Sequence, residues 1–282
     1  MSDYPNAGLR GLVDPVVIVA FGGWNDAGTS ASSAVEHLAE TYDAQLAFAI
    51  DPDDFYDFQV NRPQVGVNGN GEREITWPTT EVKVARLPTG TDLVLISGLE
   101  PNLRWRQFSS LLTSALKSAG AGRIYMLGAL LADTPHTRPI PVSVTTNDAA
   151  LSAEYGLAPS GYEGPTGIVG VLGDALVRSG MGVLTLWAAI PHYVSHPPCP
   201  KATLALLSQL EELLDTPLEL GDLPELSRAW ERGVDELASE DAEVAEYVTA
   251  LEQQQDATEL PEASGDAIAA EFERYLRRRS EG

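Results

Sequence analysis

Cysteine is nearly absent. Cys199 is the one thiol in 282 residues, which excludes an internal disulfide and a cysteine-based zinc cage and fits a reducing compartment. Basic residues are scarce as well: 18 Lys and Arg stand against 41 Asp and Glu, a formal charge of −23. A surface of that sign repels nucleic-acid phosphates and anionic lipid headgroups, so neither a nucleic acid nor a membrane is an expected partner. No stretch reaches the roughly 18 uncharged apolar residues of a membrane helix. Residues 1–5 (MSDYP) lack the basic start and apolar run of a secretory signal, so a soluble cytoplasmic protein is expected. The chain also lacks GxGxxG, GxxxxGK[ST] and GxSxG patterns. No cofactor and no metal site is expected.

What remains is an ordinary globular composition, 44% hydrophobic and 21% charged. Residues 16–21 (VVIVAF) are apolar without alternation, the pattern of a strand buried on both faces of a mostly parallel sheet. This run enters Gly22-Gly23-Trp24-Asn25-Asp26, after which 31–42 reads as a helix with Val35, Leu38, Ala39 and Tyr42 on its apolar face. Further strands are expected at 45–50, 92–97, 123–127, 141–145 and 183–189, with helices at 105–118, 166–179 and 202–214. Asn147 or Asp148 suits the cap of another helix. Segments 72–77 and 81–87 alternate around Pro78-Thr79-Thr80 and are expected to form a hairpin. Strands alternating with helices predict an α/β class, an α/β/α sandwich with a mixed, mostly parallel sheet.

The last third is helical and acidic. Leu226, Trp230, Val234 and Leu237 form one apolar stripe, and Val244, Tyr247, Val248 and Leu251 a second. Residues 256–265 have the composition of a linker, and a final helix carries Ile268, Phe272 and Tyr275 before Arg277-Arg278-Arg279. The expected division is a sandwich domain over 1–220 and a helical extension over 221–282.

Loops beyond the carboxyl ends of parallel strands share one edge of a sheet, where ligands bind. The candidate ligand-binding set on that edge is Gly23, Trp24, Asp26, Glu100, Arg104, Trp105, His136, Arg138 and His192, with Asp133 beside them. Alternatively, Gly23 serves a tight turn and Asp26 caps the first helix. No catalytic nucleophile stands out, and Cys199, held between Pro198 and Pro200, reads as a structural thiol. His192 and His196 have metal-ligand spacing, but the prolines around them oppose the helix that would align them. Gly167, Gly170 and Gly173 recur along a helix, each costing about 1 kcal/mol relative to Ala. Close approach of a neighbour is the expected compensation, so Gly170→Leu is expected to lower the melting temperature. In the acidic loop 51–58 one or two aromatic rings are expected to be tucked in, with Arg62 pairing to its carboxylates.

Several segments in order carry a resemblance: FGGWNDAG (21–28), YDFQVNRP (56–63), GLEPNLRW (98–105), PHTRP (135–139), YEGPTGIVGVL (162–172) and LWAAIPHYV (186–194). Together they resemble the proteasome assembly chaperone 2 family, in its bacterial, actinobacterial-type branch. The resemblance implies a sandwich with a nucleoside-phosphorylase-like outline and a homo-oligomer, a trimer or higher. Eukaryotic and archaeal members of that family help assemble proteasome rings, typically through a C-terminal hydrophobic-Tyr-X tail. The last residues here, Arg279-Ser280-Glu281-Gly282, do not match that tail. The first expectation is an oligomeric, non-enzymatic assembly or scaffold protein with a protein partner. The alternative is an enzyme or sensor for a small polar or anionic metabolite. In that case Arg104 or Arg138 would hold the anion and His136 or His192 would move a proton.

Overall fold

Residues 16–22 contain no polar side chain, and they run through the centre of the molecule. In the computed structural model, which describes residues 6–13, 15–157, 160–194 and 196–259, β1 (Val16–Gly22) lies between two parallel neighbours. These are β6 (Asp92–Leu99) and β7 (Arg123–Ala132). Val17, Val19 and Phe21 point to one face and Ile18 and Ala20 to the other, and all five are fully buried. A fully buried aliphatic side chain contributes about 2 kcal/mol, and that burial fixes the strand's central place.

Seven strands form the main sheet, in the order β2 (Gln45–Ala49), β5 (Thr80–Arg86), β6, β1, β7, β9 (Gly182–Pro191), β8 (Val142–Thr145). β5 and β8 run antiparallel to their neighbours, and the pairings from β6 to β9 are parallel. On one face lie α2 (Trp105–Ser118) and α4 (Ile168–Arg178), which bury Phe108, Leu112, Leu116, Leu172 and Leu176. The other face carries α1 (Ser30–Thr41) and α5 (Pro200–Leu214), with Val35, Leu38, Leu206 and Leu210 inward. The result is an α/β/α sandwich. A short α3 (Ala149–Tyr155) is capped by Asp148, whose carboxylate accepts from Ala150 N at 2.8 Å and Leu151 N at 3.1 Å.

The expected hairpin does not form. β4 (Arg73–Thr76) pairs instead with β3 (Gln64–Val67), an unanticipated strand, in a separate two-stranded ribbon. The segment expected as its partner enters the main sheet as β5. Alternation defines the two faces of a strand but says nothing of its neighbour.

α6 (Leu223–Ser239) turns Ser227, Trp230, Val234 and Ala238 inward, while Leu226 and Leu237 are exposed, so the expected stripe is rotated. α7 (Ala242–Glu259) buries Val248 and Leu251. It continues through 256–259, the start of the expected linker. The expected final helix, with Ile268, Phe272, Tyr275 and Arg277-Arg278-Arg279, lies outside the described residues.

Candidate functional site

The turn after β1 organises the edge. Gly23 has φ +122°, a region L side chains rarely adopt, and the turn closes with Asp26 N donating to Gly23 O. Trp24 is thrown outward, 65% exposed. Asp26 is buried, and its carboxylate accepts from Ala31 N at 2.7 Å and from the Ser32 hydroxyl at 2.5 Å, capping α1. Burial raises its pKa above the ordinary 3.8, against the lowering effect of those donors. Asn25, also buried, donates from Nδ2 to Glu100 Oε1 at 3.0 Å. The same oxygen accepts from Ile168 N at 2.7 Å, the first residue of α4. One carboxylate therefore ties the β1 turn, the end of β6 and the start of α4 together.

Gly167 permits this closure, since a Cβ there would sit 2.2 Å from Asn25 Nδ2. A Cβ at Gly173 would stand 3.3 Å from Met126 Sδ, a looser contact with a flexible side chain. Gly170 differs in kind: it is exposed, and a Cβ there would stand 2.1 Å from the hydroxyl of Thr166, a neighbour on its own segment. A side chain at Gly170 has to displace Thr166, whereas at Gly167 it meets Asn25 and Glu100 together, so Gly167 is the more tightly enclosed of the two.

Beside this knot a cleft of about 900 Å³ opens between α4 and the outer strands β9 and β8. Its walls include Trp24, Tyr162 and Trp187, and its floor Ser143, Thr145 and Thr185. Two of the nine candidate residues, Gly23 and Trp24, line it, and Glu100 lies just behind it. Sequence reasoning missed Ser143, Thr145, Thr185 and Trp187. Their signal was polar or aromatic residues two apart in otherwise apolar strands.

His136, Arg138 and His192 stand on the opposite face, beside α5, α6 and α7. His136 is 1% exposed. Its Nε2 faces Asp235 Oδ1 at 2.9 Å and its Nδ1 the Tyr193 hydroxyl at 2.8 Å, an oxygen that also accepts from His136 N. A carboxylate only accepts, so these bonds place the ring proton on Nε2. Lys201 of α5 donates to His136 O and pairs with Glu231 of α6. Arg138 forms a two-pronged pair with Asp256 of α7 at 2.8 and 2.9 Å, and holds that carboxyl below its usual range. His192 Nδ1 lies 3.3 Å from Asp133 Oδ1, which also accepts from Tyr247 OH. Burial pushes the Tyr193 phenol up to about 12.

The shared rim thus separates into two neighbourhoods, one on each face. Arg104 and Trp105 belong to neither: Arg104 pairs with Asp54, in the place expected for Arg62, and Trp105 Nε1 donates to Pro101 O. Phe55 and Tyr56 of the acidic loop are both buried. Cys199 is buried too, its thiol pushed up to about 11 by burial.

The chain matches the PAC2 family model over residues 20–238, the stretch that builds the sandwich and α6. The chain belongs to the PAC2 family. A PAC2 family protein from Streptomyces avermitilis is 53% identical, with a TM-score of 0.79, over 83% of this chain and 100% of that one. A proteasome-assembly chaperone homologue from Mycobacterium tuberculosis is 49% identical, with a TM-score of 0.76, over 83% and 99%. An archaeal proteasome activator from Pyrococcus furiosus, at 17% identity and a TM-score of 0.64 over 80% and 94%, shares the fold. No curated protein matches this PAC2 chain.

Proposed function

We propose that this PAC2 protein is an oligomeric, non-enzymatic assembly factor or scaffold, a homotrimer or higher, in the manner of the chaperone homologue it resembles. The observation that carries this reading is the ribbon β3–β4. Val65 and Ile75 face each other across it, with Val67 two residues away on the same side. They are 56%, 50% and 73% exposed, and the side continues into Trp77, 48% exposed and edge-on to Phe58 at 4.8 Å. Two strands alone are marginally stable in water, and an apolar face of this kind calls for cover. The cover proposed is a second copy of this chain. Arg73, on the same side of the ribbon, meets an acidic surface on any copy, given the net charge of −23.

The state of the chemical groups supports a non-enzymatic role. His136 and Arg138 are engaged by partners within the chain, and the thiol of Cys199 is buried. Light scattering on the full chain should give a trimer or larger, and Ile75→Glu should shift it to the monomer with its far-UV spectrum intact. A monomeric wild type at micromolar concentration overturns the oligomer. For the assembly role, the host's own proteasome subunits are mixed with and without the protein. Faster ring formation is expected, and unchanged kinetics remove the proteasome from the proposal.

A further inference from the structure

The cleft of about 900 Å³ lies within the size range of small-molecule sites. Among the described residues its lining carries no Asp, Glu, Lys, Arg or His. That is unusual on a chain with 41 acidic residues, and it bears on what the cleft accepts. A charged ligand entering a site without a countercharge gives up hydration with nothing in return. The helix end beside the cleft does not supply one. The N-terminus of α4 would favour an anion, but the Glu100 carboxylate already sits on Ile168 N. A phosphate placed there would meet that carboxylate.

The polar groups on the floor point the same way. Ser143 pairs with Trp187 and Thr145 with Thr185 across β8 and β9, so these four side chains share one face of the sheet edge. Among the described residues, the side chains of Ser143, Thr145 and Thr185 make no hydrogen bond. They are half-buried or exposed within the cleft. By contrast Thr146, which also lines the cleft, is buried and donates to Val183 O at 2.6 Å. The aromatic part is held in place by a glycine. Trp187 lies opposite Gly128, where a Cβ would stand 2.5 Å from the indole ring, so the ring rests across the strand. Trp24 and Tyr162 stand exposed at the wall.

From these observations we propose that the cleft binds an uncharged, hydroxylated ring compound, with a ring face against Trp24 or Trp187 and its hydroxyls on Ser143, Thr145 and Thr185. A nucleoside and a neutral mono- or disaccharide share that chemistry. Nucleotides and sugar phosphates are rejected.

Isothermal titration of the full chain with adenosine, with maltose and with AMP, alongside quenching of the tryptophan fluorescence, tests this. Saturable binding of adenosine or of maltose at millimolar concentration or below, with AMP at least about tenfold weaker, is the expected result. Whichever of the two uncharged probes binds identifies the source. Trp24→Ala, at an exposed position, should weaken the binding at least about fivefold. Thr145→Val, which keeps the shape and removes the hydroxyl, should weaken it about three- to tenfold. Unchanged melting temperatures in both variants separate this from a folding defect. Binding of neither uncharged probe, AMP binding as tightly as adenosine, or affinity indifferent to both substitutions overturns the proposal.

Discussion

Two neighbourhoods meet at the carboxyl edge of the sheet, and they divide the residue types in an unexpected way. On the α5 side stand the groups with chemical reputations, His136, Arg138, Lys201 and Asp235, and each is joined to another within the chain. On the α4 side stand Ser143, Thr145 and Thr185, with no hydrogen bond among the described residues, beside three exposed or half-buried rings. The first neighbourhood fastens the C-terminal helices to the sandwich. The second faces open space. Reactive residue types here hold the fold together, and unreactive ones line the accessible cleft. A buried polar group without a partner is costly, so histidines and lysines near a packed helix are drawn into bonds. Hydroxyls beside water lose nothing by waiting.

This contrast predicts unequal responses to substitution. The largest belongs to His136→Ala, which empties a buried site and removes the bonds to Tyr193 and Asp235. About 3 kcal/mol of unfolding free energy should be lost in urea titration, and a loss below about 1 kcal/mol would put the two sides on the same footing. Next is Gly167→Ala, which drives a methyl into Asn25 and should cost about 2 kcal/mol. Gly170→Ala, three residues along the same helix, should cost less, since the one group its methyl meets at 2.1 Å is the Thr166 hydroxyl, which can rotate away, and helix propensity offsets part of the cost. Equal effects at the two glycines would show that Asn25 and Glu100 do not form a fixed knot.

Asp26 lies at the boundary, and its effect is read in pH. Its native pKa is raised above 3.8 by burial. As pH climbs through 3.8 the unfolded carboxyl ionises first, so the native state loses relative stability until its own, higher pKa is passed. Below 3.8 the carboxyl is protonated in both states and the loss is absent. Asp26→Asn lacks this slope, so the difference between wild type and variant in urea titrations should move against the wild type across that window. A pH-independent difference would remove the burial effect. Smallest of all, Ser143→Ala should stay within about 0.5 kcal/mol of wild type, since its hydroxyl supports nothing in the fold.

Much of the sandwich was legible beforehand. β1 read as an unbroken apolar run because both its faces are covered, and α2 showed its stripe because one face alone is buried. The capping role of Asp26 was legible as well, from an acid just ahead of a helix pattern. The partner of β4 was not: segments 64–67 and 81–87 were both available to it, and pairing depends on which reaches the main sheet. Of the candidate site, Gly23 and Trp24 reached the cleft, but which face His136 takes depends on α6, 99 residues away at Asp235. No local pattern encodes that separation.

The amino-acid order alone set the class of architecture, the negative charge and the turn at Gly23, because each follows from neighbours within a few positions or from simple sums. Contacts across the folded chain decided which polar groups are used up and which stay open. A side chain's availability depends on what packs beside it, and packing joins residues that the sequence holds far apart.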